Sequence, residues 1–242
     1  MIDIHSHILF GVDDGANSLR ETKEMLTVAY KQGVKTIVAT PHQRKRMFET
    51  SQEVINEQYK KLCEVAQEVA DDLEILLGSE VYISQGTIQQ LEQHKFKTIA
   101  DTNAVLIEFA YDISYKELLK TVKSIVLLGY QVVIAHIERY DALEGHAEYV
   151  EELIELGCYI QVNAASLLPI RLFDKHKQRK KRARYFLDED VVHFIASDAH
   201  NLTTRPYYMT EAYQFLVKQY GRKRANTLCQ QNQEKLLNKE EI

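Results

Sequence analysis

The chain has 242 residues, 45% of them hydrophobic and 27% charged, with a net charge of −5. That suffices for one sizeable core and excludes a disordered chain; three prolines and nine glycines exclude a collagen-like one. No stretch approaches the roughly 20 apolar residues that span a bilayer, and the acidic balance argues against a nucleic-acid binder.

Short, β-branched apolar runs alternate with amphipathic segments from end to end. The runs predict strands at Ile2–Ile4, Val34–Thr40, Leu73–Val81, Ala104–Phe109, Gln131–Ala135, Cys158–Val162 and Val191–Ala196. Between the first two, Ser18 and Glu21 form a capping box, Met25, Leu26 and Ala29 an apolar stripe, and Gly33 a stop. Ser51–Asp72 repeats the helical pattern through Val54, Tyr59, Leu62, Val65 and Val69. Leu118, Val122, Ile125 and Leu128 form the next stripe, closed by Gly129, and Tyr149, Leu153 and Leu156 another, closed by Gly157. Tyr208 to Leu237 reads as two or three helices against the body of the fold. Strand, helix, strand, repeated, requires crossovers and a parallel sheet. Seven units in this length predict an α/β fold, a single-domain barrel over residues 1–242.

The basic run Lys175–Arg184 stands apart. It reads either as a solvated helix face or as a docking patch for an acidic partner or an anionic membrane, with Lys177, Lys181 and Arg184 on one side.

The chemistry lies at the carboxyl ends of the predicted strands, which converge on one face of a parallel barrel. In order they carry His5-Ser6-His7, Thr40-Pro41-His42, Gly78-Ser79-Glu80, Ile107-Glu108-Phe109, Ala135-His136, Val162-Asn163-Ala164 and Ser197-Asp198-Ala199-His200; the first loop adds Asp13-Asp14. His5 and His7, two apart on an extended chain, point the same way. So many ionisable groups together are costly to bury unless cations neutralise them, which predicts a divalent-metal cluster. Imidazole and carboxylate without thiolate suits Mn, Fe or Zn, and nine candidate ligands suffice for two or three ions. Ions about 3.5–4 Å apart share a bridging hydroxide and clamp a phosphate for in-line displacement. Arg139 and Arg205, in rim loops, would grip that phosphate. His94, His146, His176 and His193 fall elsewhere and read as surface or packing residues.

At these residues the chain resembles the polymerase and histidinol phosphatase (PHP) superfamily, whose fold is a distorted barrel of seven βα units. It resembles more closely the CpsB-type protein-tyrosine phosphatases. The motifs that carry this are His5-Ser6-His7-Ile8-Leu9-Phe10-Gly11-Val12-Asp13-Asp14-Gly15, Ala39-Thr40-Pro41-His42, Ala135-His136-Ile137-Glu138-Arg139-Tyr140 and Ala196-Ser197-Asp198-Ala199-His200-Asn201. Phe10 and Ile137 stand where many relatives have proline. The resemblance implies a manganese-dependent enzyme of capsule and exopolysaccharide synthesis in Gram-positive bacteria. Its substrate would be the phosphorylated C-terminal tyrosine cluster of a tyrosine autokinase, which could recruit it to the membrane. It implies three metal sites: His5, His7, Glu80 and Asp198; Glu80 again with Glu108 and His136; and Asp14, His42 and His200. Asp13 competes with Asp14 for the last place. Arg139 and Arg205 would bind the phosphoryl group.

Cysteine usage agrees. Cys63, Cys158 and Cys229 are odd in number and widely spaced, which fits a reducing cytoplasm and small core residues; the N-terminus Met1-Ile2-Asp3-Ile4-His5 has no signal-peptide pattern. Cysteine-based tyrosine phosphatases need an arginine six residues after the nucleophile; here those positions hold Val69, Ala164 and Lys235. A phosphatase of this sequence must therefore use metals. The competing readings are a small-molecule phosphomonoesterase such as a histidinol phosphatase, a non-catalytic regulatory subunit of the kinase, and a PHP-type nuclease.

Overall fold

A computed structural model describes residues 1–242. In chain order the elements are β1 (Ile2–Ser6), α1 (Leu19–Lys31), β2 (Thr36–Ala39), β3 (His42–Gln43), α2 (Gln52–Val69), β4 (Glu74–Leu77), β5 (Glu80–Tyr82) and α3 (Thr87–Glu92). They continue with β6 (Ala104–Glu108), α4 (Tyr115–Leu127), β7 (Gln131–Ile134), α5 (Ala147–Glu155), β8 (Tyr159–Asn163), α6 (Lys177–Asp188), β9 (Phe194–Ala196), α7 (Met209–Asn226) and α8 (Asn232–Leu237). All ladders are parallel, in the orders β1-β2-β4 and β3-β5-β6-β7-β8-β9.

The expected seven passes are present, but two of them are broken. The second predicted strand, Val34–Thr40, is observed as β2 and is followed beyond Pro41 by an unexpected short strand, β3; the third divides into β4 and β5 around Gly78-Ser79. Proline cannot donate to a ladder, so the break at Pro41 is intrinsic. At Gly78 a Cβ would lie 3.3 Å from Val38 Cγ1 and 3.4 Å from the Ile99 backbone, so the chain passes closely there and a larger residue would press on its neighbours. The Gly78 N–H still donates to Ala39 O and the Glu80 N–H to Pro41 O, so the two sheets run on from one another. Ser6 bridges Ala199 in parallel; the His7 N–H donates to Ala199 O and the Asp198 N–H to His5 O. These bonds join the first and last passes at the rim, giving a distorted α/β barrel.

Local chemistry explains the helices. The Ser18 side chain accepts from the Glu21 N–H, but Glu21 reaches back to Asn17 rather than to Ser18, so the expected capping box is one-sided. In α2 the buried face is Ile55, Leu62, Val65 and Ala66; Val54, expected on the stripe, is exposed. It lies in the first turn, outside the face that packs on β4. Gly129 and Gly157, both with positive φ, follow α4 and α5 as expected of left-handed stops. One cluster of 50 buried residues binds the helices to the strands, and a second of 11, including Ile4, Val38, Leu106, Val133 and Phe194, ties the strands to Leu236 of α8. No helix is long and apolar enough to cross a membrane.

The basic run keeps a solvated side, with Lys177 and Lys181 exposed and Arg184 half-buried. It forms most of α6, and alternate members turn inward. Lys180 is buried against Asp174 and Pro169 O, and Arg182 against Asp141, Glu144 and Glu138 O. A helix rotates about 100° per residue, so a polar run of this length cannot face water throughout when one side packs on the barrel.

Candidate metal centre

The expected strand-end residues meet. His5 is the penultimate residue of β1 and His7 follows the strand; the two Nε2 atoms lie 3.3 Å apart. Each imidazole approaches Glu80 Oε2, at 3.3 and 3.2 Å, and Asp198 Oδ1, at 3.5 Å in both cases. His42, opening β3, brings Nδ1 to 2.9 Å from Glu80 Oε2 and Nε2 to 3.4 Å from Asp14 Oδ1. His136, after β7, brings Nε2 to 2.9 Å from Glu80 Oε1 and 3.6 Å from Glu108 Oε1. His200 brings Nε2 to 3.5 Å from Asp14 Oδ1.

Three groups of ligand atoms result, each within 4.8 Å: His5, His7, Glu80 and Asp198; His7, Asp14, His42 and His200; and His42, Glu80 and Glu108. The first is the expected four. The second adds His7 to the expected three. In the third, His42 takes the place expected for His136, which stands against the other oxygens of the same two glutamates. Between the adjacent aspartates the geometry distinguishes. Asp14 faces the imidazoles of His42 and His200, whereas Asp13 accepts from His7 Nδ1 at 2.7 Å and from the backbone N–H of Gly15 and His42. Asp13 thus orients a candidate ligand from behind. The turn that delivers both depends on Gly15, where a Cβ would lie 2.1 Å from His7 O.

The donor set fits divalent ions. Buried Glu80 Oε2 has three imidazole nitrogens at 2.9–3.3 Å, yet neither it nor His42 Nδ1, Glu108 Oε2 or His200 Nε2 makes a hydrogen bond. Orphaned buried polar atoms are expensive, and four of them aimed at common points are what ions would satisfy. The electrostatics record the same tension. Burial alone would raise Glu80, but the imidazoles of His5, His42 and His136 hold it well below the usual carboxylate range. Burial and the neighbouring Glu80 charge push Glu108 up to about 7. Burial, aided by Arg139, lowers His136 to about 3, and burial, aided by His7, lowers His200 to about 4, so both imidazoles are neutral and fit to ligate. His136 and Asp198 also hold left-handed φ values of 35° and 51°, an uncommon conformation for non-glycine residues.

Both predicted arginines arrive. Arg139 pairs with Asp198 Oδ2, and Arg205 Nη2 donates to both Asp198 oxygens at 2.9 and 2.8 Å. Asn163 Nδ2 donates to the same carboxylate at 2.6 Å. They border a cleft of about 1230 Å³ that runs to α6 and includes Tyr111, Arg171, Phe173 and Arg179. The four remaining histidines stand apart from the three groups. His94 meets Tyr130, His146 meets Glu148, His176 precedes α6 without capping it through its side chain, and half-buried His193 accepts from the Ile160 N–H. Cys158 and Cys229 are buried, their thiols pushed up to about 12 by desolvation, and no cysteine lines the cleft.

Three supporting residues escape sequence reasoning. The Gln161 side-chain oxygen meets His5 Nδ1 at 3.1 Å and accepts the His136 N–H at 2.8 Å, while its amide donates to Asn163. Buried Asp3 accepts from the Ser197 N–H, tying the first strand to the loop that carries Asp198. Buried Glu138 accepts from Ser166 and from the Asn163 N–H. Period-two alternation gives the only signal for Gln161 and Asp3, since each is a polar residue inside an otherwise buried strand.

Comparison with known proteins agrees with this geometry. The family model for capsular polysaccharide synthesis, CpsB/CapC, matches residues 1–238. The tyrosine-protein phosphatase CpsB of Streptococcus pneumoniae is 48% identical over 98% of both chains, and tyrosine-protein phosphatase YwqE of Bacillus subtilis is 33% identical over 91% of this chain and 85% of its own. A crystal structure from work on YwqE and CpsB, described as metal-dependent tyrosine phosphatases, superposes with a TM-score of 0.89 at 33% identity, covering 100% of this chain and 96% of that one. The phosphotriesterase homology protein of Escherichia coli shares the fold, with a TM-score of 0.63 at 11% identity and 98% coverage of both chains. The chain belongs to the CpsB/CapC family.

Proposed function

We propose that residues 1–242 act as one metal-dependent protein-tyrosine phosphatase domain in capsular polysaccharide synthesis. The phosphorylated tyrosine cluster of a partner autokinase would be its substrate, and manganese, as two or three ions, its cofactor. The observation that carries this reading is the meeting of two arginines on Asp198, a carboxylate that also belongs to a buried His–Glu cluster. His5, His7, Glu80 and Asp198 would hold one ion, Glu80, Glu108 and His136 a second with His42 at hand, and Asp14, His42 and His200 a third. When bound, such ions activate water and neutralise phosphoryl oxygens.

The chain's own residues supply the rest. Arg139 and Arg205 offer planar donors at the cleft edge of the cluster, suited to the equatorial oxygens of a phosphate in transfer. Asp198, itself held by the Asn163 amide, keeps those donors in place before substrate arrives. Gln161 and Asp13 fix the imidazole orientations of His5 and His7. A phenolate leaves readily, so no side chain need serve as a dedicated acid.

The test is phosphate release by metal-stripped protein given Mn²⁺, Zn²⁺ or Mg²⁺ singly, with phosphotyrosine peptide, phosphoserine peptide and histidinol phosphate side by side. Mn²⁺-restored, phosphotyrosine-selective turnover is expected. Preference for histidinol phosphate would move the protein to small-molecule metabolism, and no turnover with any metal would leave the cluster a binding or structural device.

A further inference from the structure

The cleft beside the metal centre contains a cation with nothing to neutralise it. Arg179 of α6 is half-buried, yet it makes no ion pair and no hydrogen bond, whereas its inward neighbours Lys180 and Arg182 are both paired with carboxylates. Its guanidinium lies 5.1 Å from the centroid of the Tyr111 ring, and Arg139 lies 5.9 Å from the same centroid. Tyr111 is 42% exposed and its hydroxyl accepts from Arg139. One ring therefore carries two cations, of which only Arg139 has a counter-charge. Burial and the facing Arg139 both disfavour the charge on Arg179, and the one carboxylate among its main electrostatic neighbours, Glu138, is already bonded to Ser166 and the Asn163 N–H. A cation so placed is stabilised by an anion brought from outside.

We infer that Arg179, stacked on Tyr111, is a subsite for an acidic side chain flanking the phosphotyrosine of a peptide substrate. The inference rests on the phosphatase reading and extends it to substrate choice. The geometry favours a peptide over a membrane, because the cation faces a concave cleft and shares a ring with Arg139. At ~3.3 Å per residue of extended chain, one to three residues separate a phosphoryl group at Arg139 from a carboxylate at Arg179. Arg179 positions substrate and takes no part in the chemistry.

Steady-state turnover of the manganese-loaded full chain tests this, with three phosphotyrosine peptides whose flanks are Asp/Glu, Asn/Gln or Lys, and with p-nitrophenyl phosphate as a substrate lacking flanks. The wild type is expected to prefer the acidic peptide over the amide one about tenfold in kcat/KM, the scale of one charge-assisted hydrogen bond. Arg179→Gln should erase that preference through KM, leaving p-nitrophenyl phosphate turnover unchanged, and Arg179→Glu should turn it toward the Lys-flanked peptide. A wild type without acidic preference overturns the inference, as does an R179Q enzyme that retains it or that slows equally on p-nitrophenyl phosphate. Loss of binding to phosphatidylglycerol vesicles in R179Q, with peptide preference intact, would assign Arg179 to a membrane surface instead. Failure of the wild type to hydrolyse any aryl phosphate would sink the phosphatase reading itself, and this subsite with it.

Discussion

Replacing Glu108 by glutamine separates what the fold tolerates from what the metals require. Burial and the charge on Glu80 raise the Glu108 carboxyl from the ordinary 4.5 to about 7. The folded, metal-free protein therefore holds this proton more tightly than the unfolded chain does. Below pH 4.5 the group is protonated in both states and makes no difference. As pH rises through about 7, the unfolded chain has already released its proton, so stability is lost progressively and the loss is complete above 7. At ~1.4 kcal/mol per pH unit the full loss is roughly 3 kcal/mol, and relaxation around the Glu80–Glu108 pair brings it to about 1–3 kcal/mol. Glu108→Gln keeps the shape and never charges. At pH 8 the stripped variant should melt above the stripped wild type, by about 2–12 °C for a chain of this size. At pH 4.5 the two should coincide. Manganese closes or reverses the gap. At 100 times its dissociation constant one ion adds about 2.7 kcal/mol, and removing a ligand carboxylate should weaken binding by roughly a hundredfold or more, which abolishes the gain. Scanning calorimetry with and without Mn²⁺ at both pH values reads all of this. A stripped variant less stable than wild type at pH 8, or one that gains as much from Mn²⁺, would refute the argument that Glu108 is held at a cost that metal offsets.

Arg139→Ala should lower kcat/KM by about 10²–10³, through both kcat and KM, with metal content unchanged by mass spectrometry; an unchanged kcat/KM would remove Arg139 from the site. Gln161→Leu should leave the fold intact by circular dichroism and weaken Mn²⁺ by about 10–100-fold in calorimetric titration, because it frees His5 and the His136 backbone from their shared acceptor. Wild-type affinity in that variant would show that the bare ligands set the geometry. Gly15→Ala places a Cβ 2.1 Å from His7 O, so the turn must shift and take Asp13 and Asp14 with it. It should lose one manganese per chain in equilibrium dialysis, and full occupancy would contradict the placement of Asp14.

Much of the site was legible because parallel barrels gather strand ends, and ionisable residues at the close of apolar runs have few other reasons to be there. His5, His7 and Asp198 meet as expected because their strands pair directly through the rim. What the sequence concealed depends on three-dimensional neighbours. Nothing local tells Asp13 from Asp14; the distinction appears only when the Gly15 turn aims one at His7 from behind and the other at His42 and His200. The breaks at Pro41 and Gly78 bring His42 and Glu80 into one register as partners in a short ladder, a pairing that the predicted strands Val34–Thr40 and Leu73–Val81 do not contain. The run Lys175–Arg184 hides its division of labour because one-dimensional charge counts do not say which face of α6 meets the barrel. Lys180 and Arg182 are structural, and Arg179 is left free beside the cleft.

The most direct test of the account is a manganese titration of stripped protein that follows bound metal and phosphotyrosine hydrolysis in the same samples. Activity should be absent without metal, rise as two to three ions per chain are taken up, and stay absent in Asp198→Asn, which the account expects to remain folded. Full activity of the wild type in excess chelator, or turnover in Asp198→Asn equal to wild type, would contradict the claim that this strand-end cluster performs its chemistry through metal.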